Sequence, residues 1–372
     1  MKPEQKIKYS PLKQLHDEYK AQTITFAGWE MPLSYTGIIN EHLHTRSQAS
    51  LFDVSHMGQL RLTGTNPLRG LEQLSPSDLV GLKPMTQRYT LLLNQQGGAE
   101  DDCMIGRACL EEETFVWMVV NAAQTAHDLE ILRAHLTDTC QLELWADRAL
   151  LALQGPASVR VMSKFCPQAA EMRPMDLRAA QIQERPCLIA TSGYTGELGY
   201  EISCYRQHAY EIASLLVNEE EVQLAGLGAR DSLRLEAGLC LYGQDLRADT
   251  TPVEAQLKWL IAPARRQGGE REGGFLGAER IFEQLRNGTT RRRTGFKVEG
   301  RIPVRQGAAV LNGDGIQVGE VTSGGFAPSL NAPYAMGYIQ TDAHDANARF
   351  HTQVRNRQIN LQLTRPAQIK NT

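Results

Sequence analysis

The residues of this chain whose types and spacing could do chemistry fall into five short blocks. In Gly97-Gly98-Ala99-Glu100-Asp101-Asp102 two adjacent carboxylates follow a glycine turn. Side chains alternate along a strand, so Asp101 and Asp102 face opposite sides and only one of them can enter a core or cleft. A carboxylate buried there could polarise an amine proton, because desolvation and a neighbouring cation tune its protonation. Taken alone, the block equally suits a solvated acidic turn.

The second block, Ser192-Gly193-Tyr194-Thr195-Gly196-Glu197-Leu198-Gly199-Tyr200-Glu201, sets tyrosines and glutamates among glycines. Glycine lets backbone approach a flat ligand, tyrosine offers a ring face and a hydroxyl, and glutamate can accept paired N–H donors from an aminopyrimidinone-type ring. A tight turn between strands uses the same residues. The third, Gly226-Leu227-Gly228-Ala229-Arg230-Asp231-Ser232, is a glycine-rich helix entry without the spacing of a dinucleotide fingerprint. Arg230 there could anchor an anion or fix a carboxylate, or it could form an ordinary helix-surface ion pair.

The fourth comprises Phe26-Ala27-Gly28-Trp29-Glu30-Met31-Pro32 and Phe52-Asp53-Val54-Ser55-His56-Met57-Gly58, mixtures that line pockets or simply fill cores. No Gly-x-Ser-x-Gly elbow accompanies His56, so a serine triad is rejected. The fifth, from Gly319 to Leu330, reads as a strand running into a glycine-rich loop.

The elements that must position these blocks alternate. Helical spacing marks Pro11 to Tyr19, Ile38 to Ser50, Ala123 to His135 and Ala157 to Phe165. Strand patterns mark Leu51 to Leu62, Tyr89 to Leu93, Asp101 to Ala108, Phe115 to Val120, Ala149 to Leu153 and Cys187 to Thr191. Mixed α+β layers follow. The charged, glycine-rich stretch Arg265 to Gly274 suits an exposed loop, and Asn287 to Arg293 reads as a second break. Beyond it, short β-like runs at Thr294–Val298, Ala309–Leu311, Gly319–Thr322, Ala335–Ile339 and Gln358–Leu363 suggest a small barrel or sandwich.

Composition narrows the function. At 372 residues the chain exceeds what one core normally serves. A net charge of −3 argues against a dedicated nucleic-acid or membrane-surface binder. Seven cysteines are scattered without a Cys-x-x-Cys pair, so no metal site is expected and reduced cytoplasmic thiols are the simpler reading. The polar start lacks a signal-like stretch, and no apolar run could span a bilayer.

Individually weak, the blocks together and in this order resemble the glycine cleavage T-protein family: Phe-Ala-Gly-Trp-x-Met-Pro, Phe-Asp-Val-Ser-His-Met, Gly-Gly-x-x-Asp-Asp, Gly-Tyr-Thr-Gly-Glu, Gly-Leu-Gly-Ala-Arg-Asp and a late Thr-Ser-Gly. The resemblance runs from about Pro11 to Leu330. It implies a three-domain cloverleaf of α+β class around a central folate channel, with residues 8–265 forming two interleaved α+β domains and residues 290–367 a C-terminal β-barrel.

It further implies an aminomethyltransferase that moves the one-carbon unit from the aminomethyl-lipoyl arm of H protein to tetrahydrofolate. Ammonia and 5,10-methylene-tetrahydrofolate would be the products. By motif position Asp102 looks like the catalytic aspartate, while Met57, Tyr89, Asn121, Tyr194, Glu201 and Arg230 fall on positions that surround folate.

The chain departs from the family pattern in three places. Thr191-Ser192-Gly193-Tyr194 lacks the usual arginine and threonine beside the tyrosine, Ala99-Glu100 replaces an apolar pair, and the C-terminus lacks the aromatic and basic tail, so Arg365 is no secure folate-tail contact. Two relatives by resemblance compete with the transferase. The folate domain of dimethylglycine and sarcosine oxidases usually accompanies a flavin domain whose fingerprint is missing here. A non-catalytic folate-binding protein of iron–sulfur assembly would carry Lys-Gly-Cys-x-x-Gly-Gln where this chain has Cys240-Leu241-Tyr242-Gly243-Gln244.

Overall fold

The computed structural model describes residues 7–136, 140–345 and 348–369. Two stacked β-sheets occupy most of the chain before residue 226. One has six strands in the order Leu177–Ile182, Arg185–Ala190, Gly199–Tyr205, Arg148–Gln154, Ala49–Asp53, Val222–Ala225. The other has five, in the order Thr86–Leu93, Ala99–Leu110, Glu113–Val120, Gly58–Gly64, Cys140–Leu144. Segments of the two sheets alternate along the chain. Their facing surfaces bury Phe52, Leu150 and Leu188 of the first against Phe115, Trp117 and Val119 of the second. Apolar burial of this kind is worth roughly 1.5–3 kcal/mol per large side chain.

Helices cover the outer faces. Ile212 and Leu216 of helix Arg206–Val217 and Val161 and Met162 of helix Ser158–Phe165 pack on the six-stranded sheet, and Leu129 and Leu132 of helix Thr125–His135 pack under the five-stranded one. A small sheet, ordered Lys8–Tyr9, Trp29–Ser34, Gln22–Phe26, flanks them.

The C-terminal strands Arg291–Val298, Ala332–Gln340, Gln317–Ala327, Ala309–Leu311, Phe350–Val354 and Arg357–Thr364 close into a barrel, sealed where Gly295 pairs with Thr364. Closure removes the unpaired edges that short strands would otherwise expose. Phe296, Val321, Ile339 and Phe350 fill the interior.

Helix Leu227–Ala237 joins these parts, and Ser232 to Ala237 are all buried along it. It ends at Gly238, whose φ of +71° is left-handed and whose Cβ would lie 2.5 Å from the backbone nitrogen of Ala367, so both conformation and space call for glycine. Arg234, buried in this helix, pairs with Asp245 at 2.9 Å and donates to Ser323 Oγ at 2.9 Å. Asp245 in turn accepts hydrogen bonds from Thr322 and Ser323, which pins a barrel strand to the helix. Removing one partner of such a buried pair costs about 3–5 kcal/mol, because the other charge is stranded.

Several local expectations change. The alternation from Leu51 to Leu62 is two strands in different sheets. Ser55 N donates to Asp53 Oδ1 at 2.9 Å, a turn that carries residues 54–57 across while the polar–apolar alternation persists. The break expected from Asn287 to Arg293 ends sooner: Arg291-Arg292-Arg293 starts the first barrel strand, and Arg293 is buried, donating to the Gly238 and Ala255 carbonyls at 2.8 and 2.9 Å. Arg265 is likewise buried, paired with Glu72 at 2.7 Å, so the glycine-rich stretch after it starts from the core.

The glycine-rich loop expected after Thr322 is strand as far as Ala327. Gly324 stays in that strand because a Cβ would lie 2.1 Å from the Val304 carbonyl oxygen, which only glycine permits.

A similar contact holds the turn before the acidic pair, where a Cβ on Gly98 would lie 1.8 Å from the Ala248 carbonyl oxygen. Gly98→Ala is expected to lower stability by about 2 kcal/mol or more. Gly313→Ala, with nothing within 4 Å, should stay within about 0.5 kcal/mol of the parent. Denaturant unfolding of the two variants checks this.

Candidate active site

A cavity of about 1390 Å³ opens where both large sheets, helix Leu227–Ala237 and the barrel meet. That exceeds the roughly 300–1,000 Å³ of common small-molecule pockets and leaves room for an extended ligand. All seven residues singled out in the sequence, Met57, Tyr89, Asp102, Asn121, Tyr194, Glu201 and Arg230, line it. Arg365 does not; its carbonyl accepts from Tyr334 where the chain end packs on the barrel.

The pairing register builds the acidic end. Leu91 lies opposite Asp102 and Tyr89 opposite Met104, so the Tyr89 hydroxyl reaches diagonally to donate to Asp102 Oδ2 at 2.9 Å. Met104 opposite Val119 brings Asn121, just past the end of its strand, level with the acidic pair. Its side-chain nitrogen is 2.8 Å from Asp102 Oδ1 and 2.8 Å from Asp101 Oδ1, while its backbone N–H donates to Asp101 Oδ2 at 3.1 Å. Asp101 is fully buried, whereas Asp102 is half-buried and lines the cavity.

Among the described residues no Lys, Arg or His forms an ion pair with either. Burial, and then the charge of Asp101, push the Asp102 carboxyl up to about 7. An acid in that range can both take and return a proton near neutrality.

The opposite wall is aromatic and cationic. The Arg230 guanidinium lies 4.6 Å over the Tyr194 ring, and the Tyr194 hydroxyl donates to the Cys240 carbonyl, which fixes the ring. The Arg230 side chain forms no hydrogen bond or ion pair with another described residue. It therefore does not orient Asp102, a task that falls to Asn121 and Tyr89. Glu201 accepts from Ser192 Oγ, and its other oxygen has no hydrogen-bond partner among the described residues. His56 is buried on the wall with its Nδ1 unpartnered; burial, and then Arg230, push it down to about 4, so the ring is neutral. Asp53 pairs with His16 and Ser10 instead, consistent with rejecting a triad.

A family model for the N-terminal domain of glycine cleavage T proteins matches residues 12–265, and one for their C-terminal barrel domain matches residues 291–370. The chain belongs to the glycine cleavage T-protein family. It is 40% identical over 96% of its length to a probable mitochondrial aminomethyltransferase of Schizosaccharomyces pombe, covering 92% of that protein. A mitochondrial aminomethyltransferase of Solanum tuberosum is 39% identical over 94% of this chain and 86% of its own. The crystal structure of the glycine cleavage aminomethyltransferase T of Bartonella henselae superposes with a TM-score of 0.91 at 37% identity, covering 98% of this chain and 99% of that one. The protein is an aminomethyltransferase of the glycine cleavage system, and the binding-only alternative is not favoured.

Sequence reading missed some of the wall. Trp259, 62% exposed, stacks on Tyr89 with centroids 6.0 Å apart at 29°; a lone tryptophan in an irregular segment gives no periodic signal. Arg293 also lines the cavity, hidden in the sequence by the basic run that holds it.

Tyr89→Phe removes one of the two side-chain hydrogen bonds that stabilise the Asp102 anion. The Asp102 titration should move up by about half to one pH unit, read from the pH dependence of turnover or by carboxyl NMR.

Proposed function

We propose that the cavity binds tetrahydrofolate as co-substrate and that Asp102 handles the proton of the folate nitrogen that closes on the transferred carbon. The observation that carries this reading is one carboxyl, raised towards neutrality, across the same cavity from an aromatic-backed cation and a glutamate oxygen with no hydrogen-bond partner among the described residues. Unpartnered polar groups around a roomy, partly apolar hollow fit a flat heterocycle with an acidic tail. Glu201 would accept N–H donors of the ring, Tyr194 would support its face, and Met57 would supply adaptable apolar contact. Arg230 would meet negative charge on the ligand.

The donor in this reading is the aminomethyl group held as a thioether on the lipoyl arm of H protein. Two folate N–H protons are lost as the carbon bridges both nitrogens; one leaves with ammonia and the other on the freed lipoyl sulfur. Asp102, ionised, accepts the second folate proton and passes it on, with Asn121 and Tyr89 holding its oxygens in line. Most of the rate then comes from positioning and from fixed dipoles in a site largely shielded from water.

No helix among the described residues is long and apolar enough to cross a membrane. Cys103, Cys109, Cys166, Cys187, Cys204 and Cys240 are free thiols, which supports a reducing compartment such as the cytoplasm; the yeast and potato relatives are named mitochondrial.

Asp102→Asn keeps the shape and removes the base. Turnover with aminomethylated H protein should fall by about 100-fold or more, while tetrahydrofolate affinity stays within about threefold. Because the ionised form works, the rate of the parent should fall as pH drops through about 7, and that limb should vanish in the variant. Unchanged turnover in the variant would remove Asp102 from the mechanism.

A further inference from the structure

Behind Asp102 lies a third carboxyl that the reaction does not touch. Asp128, in the first turn of helix Thr125–His135, is fully buried, and both of its oxygens lack a donor among the described residues. Its side chain is within hydrogen-bond reach of Asp101, itself fully buried and held by the Asn121 backbone and amide. Two carboxylates in contact away from solvent cannot both stay ionised, and an orphaned pair of oxygens is resolved if that carboxyl keeps its proton and donates it.

We infer that Asp128 is a proton-holding positioning residue: its carboxyl donates to Asp101, and Asp101, kept as the anion, fixes Asn121 and through it the rotamer of Asp102. This rests on the reading of Asp102 as the acid–base group. Burial, and then Asp101, push Asp128 up to about 9, in keeping with this order of protons.

The other groups facing the cluster are few. Glu100 on the same strand is paired with His127 at 2.8 Å, and Cys103 adjoins it. Tyr89 comes from the neighbouring strand, Tyr194 and Glu201 from the opposite wall, and Cys240, Tyr242 and Asp245 from the segment after helix Leu227–Ala237. Of the cations, Arg234 is engaged by Asp231 and Asp245, Arg293 donates to the Gly238 and Ala255 carbonyls, and Arg230 lies over Tyr194. None pairs with Asp101 or Asp128, so a proton is the remaining means of neutralising the cluster.

Two measurements test this. In difference infrared spectra of the full chain at pH about 8, a buried carboxylic-acid band should be present, survive Asp102→Asn and disappear in Asp128→Asn. This readout needs no turnover, so it stands apart from the fate of the Asp102 mechanism. In the pH dependence of kcat/KM, Asp101→Asn should lower the Asp102 limb by about one unit or more, since the anion behind it is gone. Asp128→Ala should move it the same way, because Asp101 then takes the proton. Asp128→Asn, which still donates, should leave it within about 0.3 unit. Absence of the infrared band, or a shift in Asp128→Asn as large as in Asp101→Asn, would overturn the inference.

Discussion

A carboxyl group without a cation beside it sets the electrostatics of the cavity. Asp102 borders a cavity next to a second buried carboxyl, Asp101, and the two share one asparagine amide. Buried carboxylates usually survive by pairing with Lys or Arg, which lowers their proton affinity. Here the compensation is hydrogen bonding from Tyr89 and Asn121, weaker than an ion pair, so burial wins and the group titrates near neutrality. The arginines that could have quenched it are held elsewhere: Arg234 by Asp231 and Asp245, Arg293 by backbone carbonyls, Arg230 over the Tyr194 ring.

The architecture follows from keeping that arrangement in place. Asp102 is on the five-stranded sheet, Glu201 on the six-stranded sheet and Arg230 on the helix between them and the barrel, so no single unit contains the site. Sheet stacking through Phe52, Phe115 and Trp117 fixes the first two relative to each other. The Arg234–Asp245–Ser323 network fixes the helix relative to the barrel. The barrel thus acts as a brace for the cavity, with Gly325 and Phe326 reaching its wall.

Reading the sequence succeeded where chemistry is local. Glycine pairs marked turns, alternation marked most strands, and block order identified the family. It failed where one pattern serves two structures. The Leu51 to Leu62 alternation continues through a turn because Asp53, Ser55 and His56 are polar yet buried. A run of three arginines looks solvated on paper, but Arg293 finds two backbone carbonyls inside the protein. Trp259 and Asp128 carry no pattern at all, since what matters about each is a neighbour far along the chain, Tyr89 for the one and Asp101 for the other.

The sequence by itself therefore determined the family, the α+β class with its closing barrel, and the types of side chain available to the site. Those depend on the order and spacing of residues along one dimension. Only the tertiary structure decided that Asp101 would be sealed and Asp102 left facing the cavity, that Arg230 would back a tyrosine rather than neutralise a carboxylate, and that Asp128 would stand behind both. Proton affinity is set by burial and by charges a few ångströms away, and those distances exist only once strands 86–93, 99–110 and 113–120 pair in register and a helix closes over them.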